Sequence, residues 1–233
     1  MQGTEEMNPQ RWSAERSREW YRRLPWLVGC NFIPSTAINQ IEMWQEESFD
    51  ADTITRELGW AARLGFNTVR VYLHNLVWAD DPVGFKRRMG RYLDIAASFN
   101  IRTLFVFFDD CWYGDPVLGK QPAPIPGRHN SGWVQSPGRA VILDRAKWGG
   151  LKAYLQDIIG TFAADERILM WDLYNEPGND FLPSLASPQP LKVLRLAIRF
   201  FRLMTRNRSL PLVKKAFAWA RAYRHQLKPP VSG

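Results

Sequence analysis

The chain has 233 residues, of which 45% are hydrophobic and 23% are charged, and its formal net charge is +8. These proportions are typical of a folded globular protein, and they exclude a disordered chain, a collagen-like repeat and a small disulfide scaffold. No apolar run reaches the roughly 18–20 residues that a membrane-spanning helix needs.

The charge is unevenly distributed along the chain. Residues 1–180 contain all 23 Asp and Glu with 20 Lys and Arg, whereas residues 181–233 contain 11 Lys and Arg and no acidic residue. We therefore expect a near-neutral body followed by a basic tail. No zinc-knuckle or aromatic-interleaved pattern accompanies the basic residues, so no nucleic-acid partner is expected. A basic stripe over 190–206 leaves contact with an anionic membrane open as an alternative.

The N-terminal segment lacks the apolar stretch of a secretory signal peptide. The two cysteines, Cys30 and Cys111, are expected to be free thiols, as in a reducing compartment. Together these features favour a cytoplasmic location.

Hydrophobic patterning predicts helices that alternate with largely apolar strands. A polar and aromatic extension over 1–26 contains a predicted helix at 13–23. The predicted strands lie at 27–33, 67–73, 101–108 and 167–174, and the first of them is expected to be buried. The predicted helices run from Asp50 or Asp52 to Leu64, from Pro82 to about Ser98, and over 147–164, 190–206 and 210–227. Continuous apolar strands between helices are typical of an α/β fold with a parallel sheet covered on both faces.

The sequence predicts three parts of the chain. The extension at 1–26 precedes an α/β body at 27–180, and the basic helical tail at 181–233 ends at 230–233, which reads as the beginning of a fifth strand. A long loop after the third strand, about 109–144, is rich in Gly, Pro and Trp. Loops of this length are usually functional or disordered, and its embedded aromatic residues favour an ordered functional loop.

Polar and aromatic residues follow the predicted strands at their carboxyl ends, where parallel α/β folds build their sites. A carboxylate next to an amide at a strand end suits general acid catalysis on a sugar, and aromatic rings can stack on sugar faces. These residues are Asn31, Arg70, His74, Trp78, Asp109, Asp110, Trp112, Tyr113, Asn175 and Glu176. The chain has no GxGxxG, Walker A or HExxH motif, which disfavours dinucleotide, phosphate-loop and metalloprotease sites. No metal and no cofactor is expected.

The run LYNEPGN at the fourth strand resembles retaining glycoside hydrolases of the large (β/α)8 clan, which includes the family 5 cellulases and the family 2 β-glycosidases. The segments LPWLVGCNFIPSTAINQIEMW, LGFNTVRVYLHNLVW, FVFFDDCW and HNSGWVQSPG look like cellulase-like or xylanase-like members. The resemblance covers about residues 24–180. It implies an incomplete TIM barrel of about four βα units.

The resemblance also implies roles for individual residues. Glu176 matches the acid/base, Asn175 the residue that contacts the sugar 2-hydroxyl, and Arg70 the second-strand arginine near the nucleophile. The candidates for sugar binding are Asn31, His74, Trp78, Trp112 and Tyr113. The substrate implied is a β-linked poly- or oligosaccharide.

The second catalytic carboxylate of a retaining enzyme is missing from the sequence. In the family it is a Glu at the end of the seventh strand, but this chain has no Glu after Glu176, and its last acidic residue is Asp180. We therefore expect little or no activity from the chain alone. The alternative is a non-catalytic carbohydrate-binding protein or a half-barrel that associates with itself through its open edges.

Overall fold

The structure, a computed structural model, describes residues 12–179 of the chain. The chain divides into two compact units, Met1–Asp180 and Phe181–Gly233, and the described residues belong to the first. The predicted helices at 190–206 and 210–227 and the predicted strand at 230–233 lie outside the described residues.

The described residues form a mixed α/β fold around one four-stranded parallel sheet, with the strands side by side in chain order. The strands are β1 (Gly29–Asn31), β2 (Thr68–Tyr72), β3 (Arg102–Asp109) and β4 (Ile168–Asn175). The helices are α1 (Ala14–Arg22), α2 (Gln40–Trp44), α3 (Ala51–Arg63), α4 (Asn75–Asp80), α5 (Pro82–Ser98), α6 (Arg139–Ile142) and α7 (Trp148–Phe162), with a 3-10 turn at Arg145–Lys147 before α7.

The ends of the two long helices before β3 follow their predicted signals. Asp50 caps α3 by accepting a hydrogen bond from Thr53 N at 2.9 Å, and Gly65 follows the helix with a φ of +88°, a left-handed conformation that favours glycine. Asp81 caps α5 by accepting from Gly84 N at 2.8 Å. The predicted positions of both helices are confirmed.

Strand alternation separates a core face of the sheet from a polar face. Val69 and Val71 on β2 belong to the hydrophobic core, together with side chains of α3 and α5. Arg70 lies between the two valines, so its side chain leaves on the opposite face. The fully buried Trp44 packs in the same core and donates from Nε1 to the carbonyl of Tyr72 at 2.7 Å.

The burial predicted for the first strand is wrong. The strand at 27–33 is only three residues long, and Gly29, Cys30 and Asn31 are all exposed, because β1 pairs with β2 alone among the described strands. At the other edge, Leu173 of β4 is 59% exposed. The expected cover on both faces is therefore incomplete at the sheet edges.

Two further predictions concern membranes and cysteines. No helix within 12–179 is long and apolar enough to cross a membrane. Cys30 and Cys111 are free thiols, and their segments are not neighbours in the sheet.

Candidate functional site

The candidate site lies where β3 and β4 end side by side. Asp109 closes β3, Asn175 closes β4, and the two residues are direct partners in the parallel register. The amide Nδ2 of Asn175 donates to Oδ1 of Asp109 at 2.9 Å. The strand pairing therefore brings together a carboxylate and an amide that are 66 residues apart in the sequence.

Asp109 is a buried carboxylate at the centre of a donor cluster. Only 1% of the residue is exposed, and besides Asn175 it accepts from Cys111 N at 3.0 Å and from Trp133 Nε1 at 2.5 Å. Burial raises the pKa of the Asp109 carboxyl above its usual range, and hydrogen bonds from Asn175 and Trp133 oppose that rise. Asp109 thus anchors the long loop, through Trp133, to the end of the sheet.

Asn175 is held in one orientation from two sides. While its Nδ2 donates to Asp109, its Oδ1 accepts from Nη2 of Arg70 at 3.1 Å. The opposite hydrogen-bonding character of these two partners determines which way the amide faces. Arg70 and Asn175 were both predicted site residues, and the structure brings them into contact.

Arg70 is paired with a carboxylate that the sequence reading missed. Its Nη2 and Nε lie 2.5 and 3.2 Å from Oδ2 of Asp172 on β4, and its Nη1 hydrogen bonds to the hydroxyl of Tyr72. Both members of the ion pair are only partly exposed. A signal was available, because a charge inside each of the apolar segments NTVRVYL and RILMWDLY needs a partner.

Glu176 follows β4 as an exposed residue with an uncommon backbone conformation. Its φ is +45°, in the left-handed region that non-glycine residues rarely adopt and that is over-represented at functional sites. Its Oε2 lies 3.3 Å from Sγ of Cys111. Burial, with Asp109 nearby, raises the pKa of the Cys111 thiol to about 12. The thiol is therefore protonated near neutral pH and donates to Oε2 of Glu176.

The turn that carries Glu176 is held by side chains from the end of β3. Asp110 accepts from the hydroxyl of Tyr174 at 2.6 Å and from Gly178 N at 2.5 Å, and Asn179 Nδ2 donates to Cys111 Sγ at 3.2 Å. Neither Asp110 nor Cys111 was assigned this role from the sequence. Their contacts fix the backbone on both sides of Glu176.

The remaining predicted residues divide into exposed and enclosed ones. Trp112 and Tyr113 are 47% and 41% exposed and follow Cys111 directly, and Asn31 is exposed at the end of β1, beside Arg70 in the register. These three side chains are accessible to a ligand. Trp78 instead donates to Asp157 Oδ2 on α7 at 2.7 Å and packs against Tyr154, so its contacts lie between helices.

His74 is completely enclosed, which argues against its predicted contact with a sugar. The residue is 0% exposed; Nδ1 accepts from Leu76 N at 3.1 Å, capping α4, and Nε2 donates to the carbonyl of Gln135 at 2.9 Å. With both ring nitrogens engaged, His74 supports the loop from beneath. Burial lowers the pKa of its imidazole to about 4.

This burial of His74 predicts a loss of stability in mild acid. The unfolded chain binds a proton at His74 near pH 6.5, whereas the folded chain does so only near pH 4, so the stabilisation present above pH 6.5 is lost as the pH falls. Between pH 7 and pH 5 we expect this group to lower the free energy of unfolding by about 2 kcal/mol.

Urea denaturation of the wild type and of His74→Asn at both pH values isolates this contribution. Asn can still cap α4 but does not titrate. Between pH 7 and pH 5, the free energy of unfolding of the wild type should therefore fall by about 2 kcal/mol more than that of the variant. An NMR titration of the His74 ring provides a second measurement. If the His74 ring of the folded protein took up its proton near pH 6.5, the lowered pKa would be contradicted.

Within the described range 12–179, no group of three His, Cys, Asp or Glu side chains could hold a metal ion. A solvent-accessible carboxyl and a fixed amide lie at the end of β4, and the Arg70–Asp172 pair joins β2 to β4. Exposed aromatic rings follow the end of β3.

Comparison with known proteins identifies no family. No family model matches the chain, and no curated protein matches it. Among solved structures, the chain is similar to the exo-beta-1,4-mannosidase Op5Man5 from Opitutaceae bacterium strain TAV5, with 24% sequence identity and a TM-score of 0.47. The similarity covers 73% of this chain and 28% of that one, so the chain spans less than a third of that protein's length.

Proposed function

We propose that this chain forms the N-terminal part of a (β/α)8-type glycoside hydrolase and contributes the acid/base residue, Glu176, of a retaining reaction on a β-linked poly- or oligosaccharide. One observation carries the proposal. Asn175 is held from one side by Arg70 and from the other by Asp109, and the next residue, Glu176, is an exposed carboxyl at the carboxyl edge of a parallel sheet. Parallel α/β folds carry their catalytic groups at this edge.

The proposed chemistry begins with a proton transfer from Glu176. In a retaining glycosidase the acid protonates the glycosidic oxygen while a second carboxylate, about 5–5.5 Å away, attacks the anomeric carbon. In the proposed site the oriented Asn175 amide contacts a sugar hydroxyl, and Asn31, Trp112 and Tyr113 contribute to the sugar-binding wall. His74 and Trp78 support this wall from within the protein.

The proposal includes an incomplete catalytic pair. Asp172 is engaged by Arg70, and the sequence has no Glu after Glu176. The chain alone should therefore hydrolyse β-glycosides weakly or not at all, because its acid lacks a nucleophilic partner.

An external nucleophile tests this proposal directly. The chain is incubated with phenyl β-glucoside, β-mannoside, β-xyloside and β-galactoside, with and without azide. Azide forms a bond to the anomeric carbon as the bond to the phenolic oxygen breaks, and Glu176 gives its proton to that oxygen, so phenol is released. Displacement from the opposite face yields the α-glycosyl azide.

We expect release of phenol that depends on azide from at least one of these glycosides. Rapid hydrolysis without azide would show that the chain does not lack a nucleophile. If no glycoside is bound or cleaved under either condition, the proposal of a glycosidase site is wrong.

The open sheet edges favour a second candidate, a half-barrel that binds carbohydrate or associates with itself without catalysis. Within the described residues, β1 and β4 each have one unpaired edge, and Leu173 is 59% exposed. Unpaired parallel edges are templates for another strand. Light scattering tests this candidate, and a monodisperse monomer over a range of concentrations would contradict self-association.

A further inference from the structure

A cavity of about 430 Å³ lies within the long loop between β3 and α6. It is formed entirely by residues between Tyr113 and Val134, and most of its side chains are apolar. Small-molecule sites commonly measure about 300–1,000 Å³ and are mostly apolar. The cavity is therefore large enough for a group of the size of a benzene ring or a short alkyl chain.

The walls of the cavity are held by the polar side chains that flank α2, Asn39 at its start and Gln45 at its end. Asn39 Nδ2 donates to Oε1 of Gln121 at 2.9 Å and to the carbonyl of Gly132 at 3.0 Å. The Gln45 side chain hydrogen bonds to both backbone groups of Gly119, at 2.6 and 3.2 Å. These contacts fix both sides of the loop, so the cavity is formed before any ligand enters, and binding need not order it.

Two neutral polar side chains of the lining, Gln121 and Ser131, already have hydrogen-bond partners within the protein. Gln121 Nε2 donates to the carbonyls of Val117 and Gly119 at 2.9 and 2.8 Å, and Ser131 Oγ accepts from Ile125 N at 2.7 Å. The surface left for a ligand is accordingly dominated by apolar groups.

Three apolar side chains of the lining, Val117, Leu118 and Ile125, are 69%, 36% and 49% exposed. An apolar ligand can cover the exposed surface of these side chains. The two charged residues of the lining, Asp115 and Lys120, have opposite signs. Their charges cancel, which gives no preference for an ionic ligand.

The cavity wall is linked to the candidate catalytic carboxyl through a short stretch of chain. Tyr113 in its wall follows Cys111 by two residues, about 7 Å of chain at most, and Cys111 Sγ lies 3.3 Å from Glu176 Oε2. A general acid protonates the oxygen of the group that departs. The neighbourhood of the acid is therefore the side on which the leaving group lies.

From these observations we propose that the 113–134 cavity binds an apolar aglycone, an aryl or alkyl group joined to the sugar that Glu176 acts on. This inference rests on the proposed glycosidase function and narrows its substrate class to glycosides with an apolar leaving group. The sugar itself lies outside the cavity, at Asn175 and Glu176.

Binding of the free aglycone tests the cavity without requiring catalysis. Phenol and phenyl β-glucoside are titrated into the full chain and followed by backbone amide NMR, with methyl β-glucoside as the ligand that lacks an aglycone. We expect phenol to shift amides within 113–134. Leu118→Asp places a charge in the cavity, and Ala123→Trp fills it; each should weaken phenol binding at least tenfold.

Val83→Asp is the matched control, because Val83 is 75% exposed on α5 and does not line the cavity. Its phenol affinity should equal that of the wild type. If phenol shifts no amide of the loop, or binds all variants equally, the aglycone site is wrong. The same holds if Leu118→Asp dissociates an oligomer seen by light scattering while phenol does not bind, because the cavity is then an interface between copies.

The two proposals fail in distinguishable ways. Phenol binding without azide-dependent cleavage of any phenyl glycoside would support the apolar binding site and contradict the glycosidase function. Azide-dependent cleavage without phenol binding would support the glycosidase function and contradict the aglycone site.

Discussion

Glu176→Gln is expected to lower the azide-dependent cleavage of phenyl β-glycosides by about 10²–10⁴-fold, the usual contribution of a general acid. Gln keeps the shape of the side chain but has no proton of suitable acidity for the leaving oxygen. The rate of phenol release is measured at saturating azide. The leaving group of a 2,4-dinitrophenyl glycoside departs without protonation. For that substrate, the substitution should lower the cleavage rate far less.

Glu166→Gln is the matched control for this substitution. Glu166 is an exposed glutamate just before β4, at the opposite end of the strand from Glu176. Its replacement should leave the rate unchanged. If Glu176→Gln cleaves phenyl glycosides as fast as Glu166→Gln does, Glu176 is not the acid.

Trp44→Ala is expected to reduce the free energy of unfolding by about 3–5 kcal/mol, as for other large aromatic side chains in cores. Trp44 is 0% exposed, and its ring lies 5.6 to 6.3 Å, centroid to centroid, from those of Phe49, Phe85, Tyr92 and Phe105. The substitution leaves a cavity among four rings and removes the hydrogen bond to the Tyr72 carbonyl. Urea denaturation measures the change.

Trp60→Ala provides the comparison for the core substitution. Trp60 lies on α3 and is 49% exposed, so its removal opens no enclosed space and should cost less than about 1 kcal/mol. Equal losses for the two variants would contradict the placement of Trp44 at the centre of the core.

Local sequence signals predicted the elements whose stability is decided within a few residues. Asp50 and Asp81 precede their helices by one residue, and Gly65 follows α3 in the left-handed conformation that few other residues adopt. The strands β2, β3 and β4 were predicted for a similar reason, because each is a short run rich in apolar residues that can be recognised locally.

Features that depend on distant partners were not predictable in the same way. The pattern of the first strand resembles that of a buried strand, but its exposure depends on which strands flank it. His74 follows a strand end like a site residue, yet its burial depends on Gln135, 61 residues away. Asp172 acquires its role through Arg70, 102 residues away.

The turn after β4 has a consequence for how the site assembles during folding. Hydrogen bonds that span 64 to 68 residues of sequence hold this turn in place. They join Asp110 to Tyr174 and Gly178, and Cys111 to Asn179. Such contacts close long loops and form only when the intervening chain has folded. A partly folded chain that has its helices but has not docked β4 on β3 would therefore have Glu176 on an unconstrained segment. The orientation of this carboxyl is thus a late event, and it reports that β4 has docked on β3.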